Sequence, residues 1–246
     1  MNTSTLQRRI RFLTFYVVLS HLALAAVVLM AFGLKDRTET LDELTVKRIN
    51  IVDETGRALR MVISNESRQH PGIIGGQELA PRERPAGIIF FNTFGDECGG
   101  LVYDGHEKEA GLVLSVDQFG DDQIMQLQYM EDTQNKLRKY GLQLWDYPKD
   151  NMFHERMERF EELQDIMIPS VRLKLYNEMK ADGLLMEDRL FLGKDFNKDV
   201  GLFIRDADGK IRIKIYVDQD NTPVIALYDK DGNLMQPVST TNQLPD

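Results

Sequence analysis

From Arg48 onward, apolar and polar residues alternate with a period of two, and short Asp- or Asn-rich turns interrupt the alternation. The clearest stretch sets Ile211, Ile213, Ile215 and Val217 against Arg212, Lys214 and Tyr216. A strand with this pattern puts its aliphatic side chains on one sheet face, which predicts one face buried and the other wetted. Asp208-Gly209 and Asp231-Gly232 fit tight hairpin turns, with glycine at the position that needs positive φ. Asp206 and Asp229, just before them, can accept hydrogen bonds from the turn's own amides.

The strand–turn–strand unit recurs over 48–64, 87–105, 111–130, 201–218 and 223–239, with weaker copies at 141–148 and 171–187. Aligned on the residue that closes the first strand, the copies fall at Asp53, Asn92, Asp117, Asp146, Asn177, Asp206 and Asp229. A single hairpin cannot bury its apolar face, so about seven in series must pack on one another. The expected fold is mainly β: an antiparallel meander of degenerate hairpin repeats with barrel-like, propeller-like or solenoid closure. Gly87, Gly111, Gly141 and Gly201 open their strands, where a missing side chain permits close approach of a neighbour.

Two segments break the pattern. Residues 151–167 place Phe153, Met157, Phe160 and Met167 on one helical face, with Asp150 as N-cap and Pro169 forbidding continuation. This predicts an amphipathic helical insertion that plugs an open end of the sheet. Phe12 to Leu34 carries no formal charge and, as a helix, reaches about 34 Å, enough to cross a ~30 Å hydrocarbon core. Thr14 and Ser20 can satisfy themselves on backbone carbonyls, and His21 reads as a tolerated neutral imidazole. Ala23-Leu24-Ala25 resembles a cleavage site, but the apolar Val27–Phe32 stretch that follows favours an uncleaved signal anchor.

The organisation is then a cytoplasmic tail (1–11), a transmembrane helix (12–34), a connector (35–47) with capping-box spacing at Thr40–Glu43, and an extracytoplasmic β-repeat domain (48–246). Arg8, Arg9 and Arg11 orient it, because charges in a short tail outweigh those in a long following domain. Residues 35–246 hold 27 basic and 39 acidic side chains, a net −12. So acidic a body argues against nucleic-acid binding and against adsorption to an anionic membrane surface.

The stretches RINIVDETGRALRMVIS, PAGIIFFNTFGDECGGLVYDG and DQIMQLQ resemble a group of uncharacterised bacterial membrane-anchored proteins. The resemblance covers about a third of the chain. It implies a bacterial source and supplies no active site; with the orientation read from the arginines, the expected location is the bacterial cytoplasmic membrane, with the C-terminal domain periplasmic or at the cell surface.

Candidate chemistry is sparse. Asp206–Gly209, Asp218–Asn221 and Asp229–Gly232 invite a calcium reading, but the glycine and glutamate positions of an EF-hand are wrong, and turn chemistry accounts for the residues. Asp218–Asn221 is the best remaining calcium loop. His154-Glu155 begins like a zinc-protease helix without its second histidine. Cys98 is the single cysteine, and the adjacent carboxylates oppose thiolate formation. Asp96/Glu97 and Asp121/Asp122 are carboxylate pairs whose facing geometry a sequence cannot give. The loop Asn65–Pro85 is long for a connector, and His70, Arg82 and Arg84 make it a candidate partner-contact loop.

With no catalytic motif, no cofactor and no metal site read, the leading expectation is a non-enzymatic, single-pass protein acting through a protein partner or a homo-oligomer. A cell-envelope glycan binder or carboxylate hydrolase is the alternative, and calcium-dependent adhesion the third.

Overall fold

A computed structural model describes residues 3–33 and 40–235, in two units that part between Thr45 and Val46. The first unit is a helix, α1 (Thr3–Gly33), whose segment Leu6–Met30 has a mean hydropathy of 2.3 and is long and apolar enough to cross a membrane. The arginine-bearing tail forms its first turns. Thr14 Oγ1 donates to Ile10 O (2.9 Å) and Ser20 Oγ to Val17 O (2.8 Å), while His21 Nδ1 lies 2.7 Å from the same Val17 carbonyl. Such internal satisfaction is what a hydrocarbon environment demands. Residues 40–46 are not helical, so the capping-box turn at Thr40–Glu43 does not form. The rest of the connector (35–39) and the end of the last repeat (236–239) lie outside the described residues.

In the second unit β1 (Arg48–Val52) and β2 (Leu59–Ser64) form the first hairpin. A long loop holding the small hairpin β3 (Ile73–Ile74) and β4 (Gln77–Glu78) leads to β5 (Gly87–Phe91). Then follow β6 (Glu97–Gly105), β7 (Glu109–Asp117), β8 (Gln123–Asp132) and β9 (Leu137–Asp146). Helices α2 (Phe153–Gln164) and α3 (Pro169–Ala181) interrupt the strands. The chain closes with β10 (Glu187–Lys194), β11 (Val200–Arg205), β12 (Ile211–Val217), β13 (Pro223–Tyr228) and β14 (Leu234–Met235).

Apart from β3 and β4, these strands make one 12-stranded antiparallel sheet in which each strand pairs with the next in sequence. The meander is as expected; closure is not. Among the described residues β1 pairs only with β2 and β14 only with β13, so the sheet stays open. Two expected hairpins are also absent. Asp146 ends β9 without a turn back, and the alternating stretch after Pro169 is helix α3, not strands around Asn177. The insertion is therefore a helical pair, and Pro169 starts the second helix instead of ending the segment. Met167 falls between the two and is 87% exposed. Asp150 does not cap α2; its Oδ1 accepts from Gln118 Nε2, and Met152 takes the cap position.

The register produces a regularity across the strands. Ile49, Ile63, Ile88, Leu101, Leu114, Leu127, Leu142, Leu192, Leu202, Ile215 and Ile225 are successive partners from β1 to β13. A second row, two residues along each strand, runs from Ile51 and Met61 to Leu227 and Met235 and is apolar except at Gly99. Cross-strand partners point to one face, so one side of the sheet is almost wholly aliphatic. This is the face expected to be buried. Within this unit no described residue covers it: Leu127 is 51% exposed, Leu192 50% and Ile225 67%.

The covered side is the other one. Val62, Ile89 and Phe91 pack under Ile73 of the long loop, and Phe191 stacks on Phe203 with ring centroids 6.0 Å apart. Between them lie glycines and glutamines. Gly141 and Gly193 are direct partners, and a Cβ on either would stand 2.1 Å from a backbone oxygen of the other's strand. Only glycine fits at so close an approach, so the pair leaves that face without side chains. A satellite core of Leu163, Met179, Leu184 and Leu185 holds the helical pair.

Candidate functional site

The loop 65–86 crosses the covered face of the sheet. At its far end Gly76 N donates to Asp96 Oδ1 (2.7 Å). On its return Arg84 clamps Glu97 through two bonds, Nη1 to Oε2 (2.8 Å) and Nη2 to Oε1 (2.7 Å), and also donates to His70 O (3.2 Å). His70 is buried, with its ring edge-on to Phe91 and its Nδ1 accepting from Gly72 N (3.0 Å). Burial, chiefly, holds its pKa below the usual imidazole range, so it is neutral at pH 7. Arg82 lies at the surface, with Nε donating to Pro71 O (2.9 Å). Of the three loop residues singled out in the sequence, His70 and Arg84 are thus engaged inside the chain, and Arg82 faces solvent.

Beneath this loop carboxylates converge. In most hairpins the Asp or Asn that opens the turn caps it: Asp229 Oδ1 accepts from Asp231 N and Asn233 N (both 2.9 Å), and Asp218 and Asn92 behave alike. The bond from Asn233 holds the Asp229 carboxyl below its ordinary pKa. Asp117 occupies the same place in its repeat and does not cap. Its turn is displaced by one residue, with Gln118 bonding Asp122 O and Asp121 N. One Asp117 carboxylate oxygen is buried without a hydrogen-bond partner. Burial first, then the neighbouring Glu97 and Asp122 charges, push its pKa up to about 7, against the pull of Arg84. The slip traces to α2: Asp121 is fully buried and bound by Arg156 and by Met152 N (3.1 Å). Arg156 itself lies under the Tyr147 ring, 4.3 Å from its centroid.

The remaining sequence candidates are placed as follows. Cys98 lies in β6 as the extra residue of a β-bulge, not in the turn, and burial with the Asp117 carboxyl pushes its thiol pKa up. His154 Nε2 is buried against Gly75 with no partner. Among the described residues no group of three or more His, Cys, Asp or Glu side chains could hold a metal ion, and the Asp218 carboxylate is taken up by its own turn.

At the opposite end of the strands the covered face opens into a groove of about 700 Å3. Its floor is Val102 of β6, Val113 of β7, and Gln126, Gln128 and Met130 of β8. Pro85, from the end of the long loop, and Phe196, from the β10–β11 turn, also line it. Gln128 is 7% exposed, and its Nε2 has no hydrogen-bond partner. Asp104, Glu109 and Asp132 stand among the rim residues with His106 and Lys108. Sequence reasoning missed this site, because to three consecutive strands and their turns it adds Pro85 of the long loop and Phe196 of the distant β10–β11 turn. Compared with known proteins, the chain matches no family model, no curated protein and no solved structure.

Proposed function

We propose that the protein is a single-span membrane-anchored module whose β-meander lies outside the cytoplasm and acts, without catalysis, by associating with further copies of itself. The observation that carries this is the uncovered aliphatic face. Roughly a dozen of its side chains are about half exposed; at about 80 Å2 each they present on the order of 1,000 Å2. An ordinary monomer's largest apolar patch is roughly 300–600 Å2, and a standard interface takes ~800 Å2 from each partner.

A second copy fits this face better than a membrane or a charged partner. The two long rows hold no ionisable residue, and the next row adds only Lys194. An anionic lipid surface would find a single lysine, Lys194, across these three rows, too little basic charge to bind. An evenly spaced aliphatic ladder complements itself, as an isologous contact requires. The single apolar helix α1 would hold such copies in one plane.

The test is light scattering on the full chain in detergent micelles, for the parent and for Leu127→Asp with Ile215→Asp. The parent is expected to form a dimer or larger assembly and the variant a monomer with unchanged circular dichroism. A monomeric parent sinks the proposal.

A further inference from the structure

We infer that the groove over β6–β8 is a binding site for a neutral saccharide, a reading independent of self-association. Its volume of about 700 Å3 falls within the ~300–1,000 Å3 of small-molecule sites, and its lining sets Val102, Val113, Met130 and Phe196 among glutamines and carboxylates. The observation that asks for a ligand is Gln128. Its side chain is more than nine-tenths buried in the groove floor, yet its Nε2 has no acceptor. Buried donors are almost always paired, so an acceptor oxygen supplied from the groove would complete it.

The rest of the lining narrows the chemistry. Asp104 and Glu109 stand at the rim, while Asp132 is taken up by Asn135 of its own turn, and ionised carboxylates only accept hydrogen bonds. They suit hydroxyl donors, and with Lys108 the one lysine among four lining carboxylates, the lining disfavours anions. Phe196, 41% exposed, offers a ring to the apolar face of a sugar. A peptide fits less well. It binds sheets by adding to an edge, and here the groove lies over strands whose backbone groups already pair on both sides. A saccharide needs no backbone partner.

The experiment is titration calorimetry on the full chain in detergent. The probes are cellotriose, maltotriose and chitotriose, with a galacturonic acid trimer as the anionic arm and a neutral alanine tripeptide as the peptide arm. At least one neutral trisaccharide is expected to bind one-to-one. Gln128→Leu and Phe196→Ala are each expected to weaken it roughly tenfold or more. Gln128→Leu is expected to melt no lower than the parent, because it removes an unpaired buried donor. If that variant fails to fold, the half-exposed Phe196→Ala decides. The inference is overturned by no heat with any neutral trisaccharide, by equal affinity for the anionic trimer, by binding of the tripeptide alone, or by affinity unchanged in the variants.

Discussion

Asp117 differs from Asn92 by its turn and from Asp229 by its neighbours, and the two differences add. A capped turn aspartate is held ionised by the amides it accepts from. Asp117 has lost that turn and faces Glu97 and Asp122 beneath the loop. The folded chain keeps its proton up to about pH 7, whereas the unfolded chain releases it near pH ~4. Between these values the folded state binds more protons, so this residue's contribution to stability falls as pH rises through that window. Asp117→Asn is expected to exceed the parent by roughly 1–3 kcal/mol at about pH 8 and to equal it at about pH 4, in urea melts at both pH values. The sequence places Asp117 correctly at the end of its strand. Its orphaned carboxylate is not legible there, because Asn92-Thr93-Phe94-Gly95 and Asp117-Gln118-Phe119-Gly120 carry the same pattern. The displaced turn is imposed by a helix that joins the sheet thirty-odd residues later, through Arg156.

At the level of elements, what can be read from the chain is what is locally determined. Alternation and self-capping turns specify β11, β12 and β13 with no help from elsewhere. Helix α3 shows the limit. Val171, Leu173 and Leu175 alternate with Arg172 and Lys174 as a strand would, but Pro169 is set for a first helical turn, and Met179 buries against Leu163 and Leu184. Tertiary packing settles a pattern that is locally ambiguous. Docking of α2 turns on one ion pair, with Arg156 4% and Asp121 0% exposed at their side chains. Removing one partner leaves a buried charge alone, so Arg156→Met is expected to cost about 3–5 kcal/mol in a denaturant melt. Arg156→Met with Asp121→Leu is expected to recover most of that loss. Equal losses in the single and double variants would show that the helix is held by its apolar contacts.

On the scale of the whole molecule, the expected two-sided character of the sheet is present with its sides exchanged. Among the described residues of this unit the aliphatic face is open, and the loop covers the other face over β2, β5 and β6. Period-two patterning tells which residues share a face, and only the rest of the chain tells which face is roofed. If copies cover the aliphatic side, folding and association are linked by mass action. The melting midpoint of the full chain is then expected to rise with protein concentration, and that of the Leu127→Asp, Ile215→Asp variant to stay constant. A concentration-independent parent midpoint would mean that the face is left bare.

The pairing of Gly141 with Gly193 has a consequence of its own. The bare surface there arises from missing side chains in the strands and needs no contact from an occupant. Gly141 is the β9 partner of Gln128, so the missing side chain leaves space beside the groove floor without any occupant, and whatever enters meets a mould already set. Selectivity in such a mould comes from rejecting shapes, and widening it would require altering the main chain's route, not merely trimming a side chain.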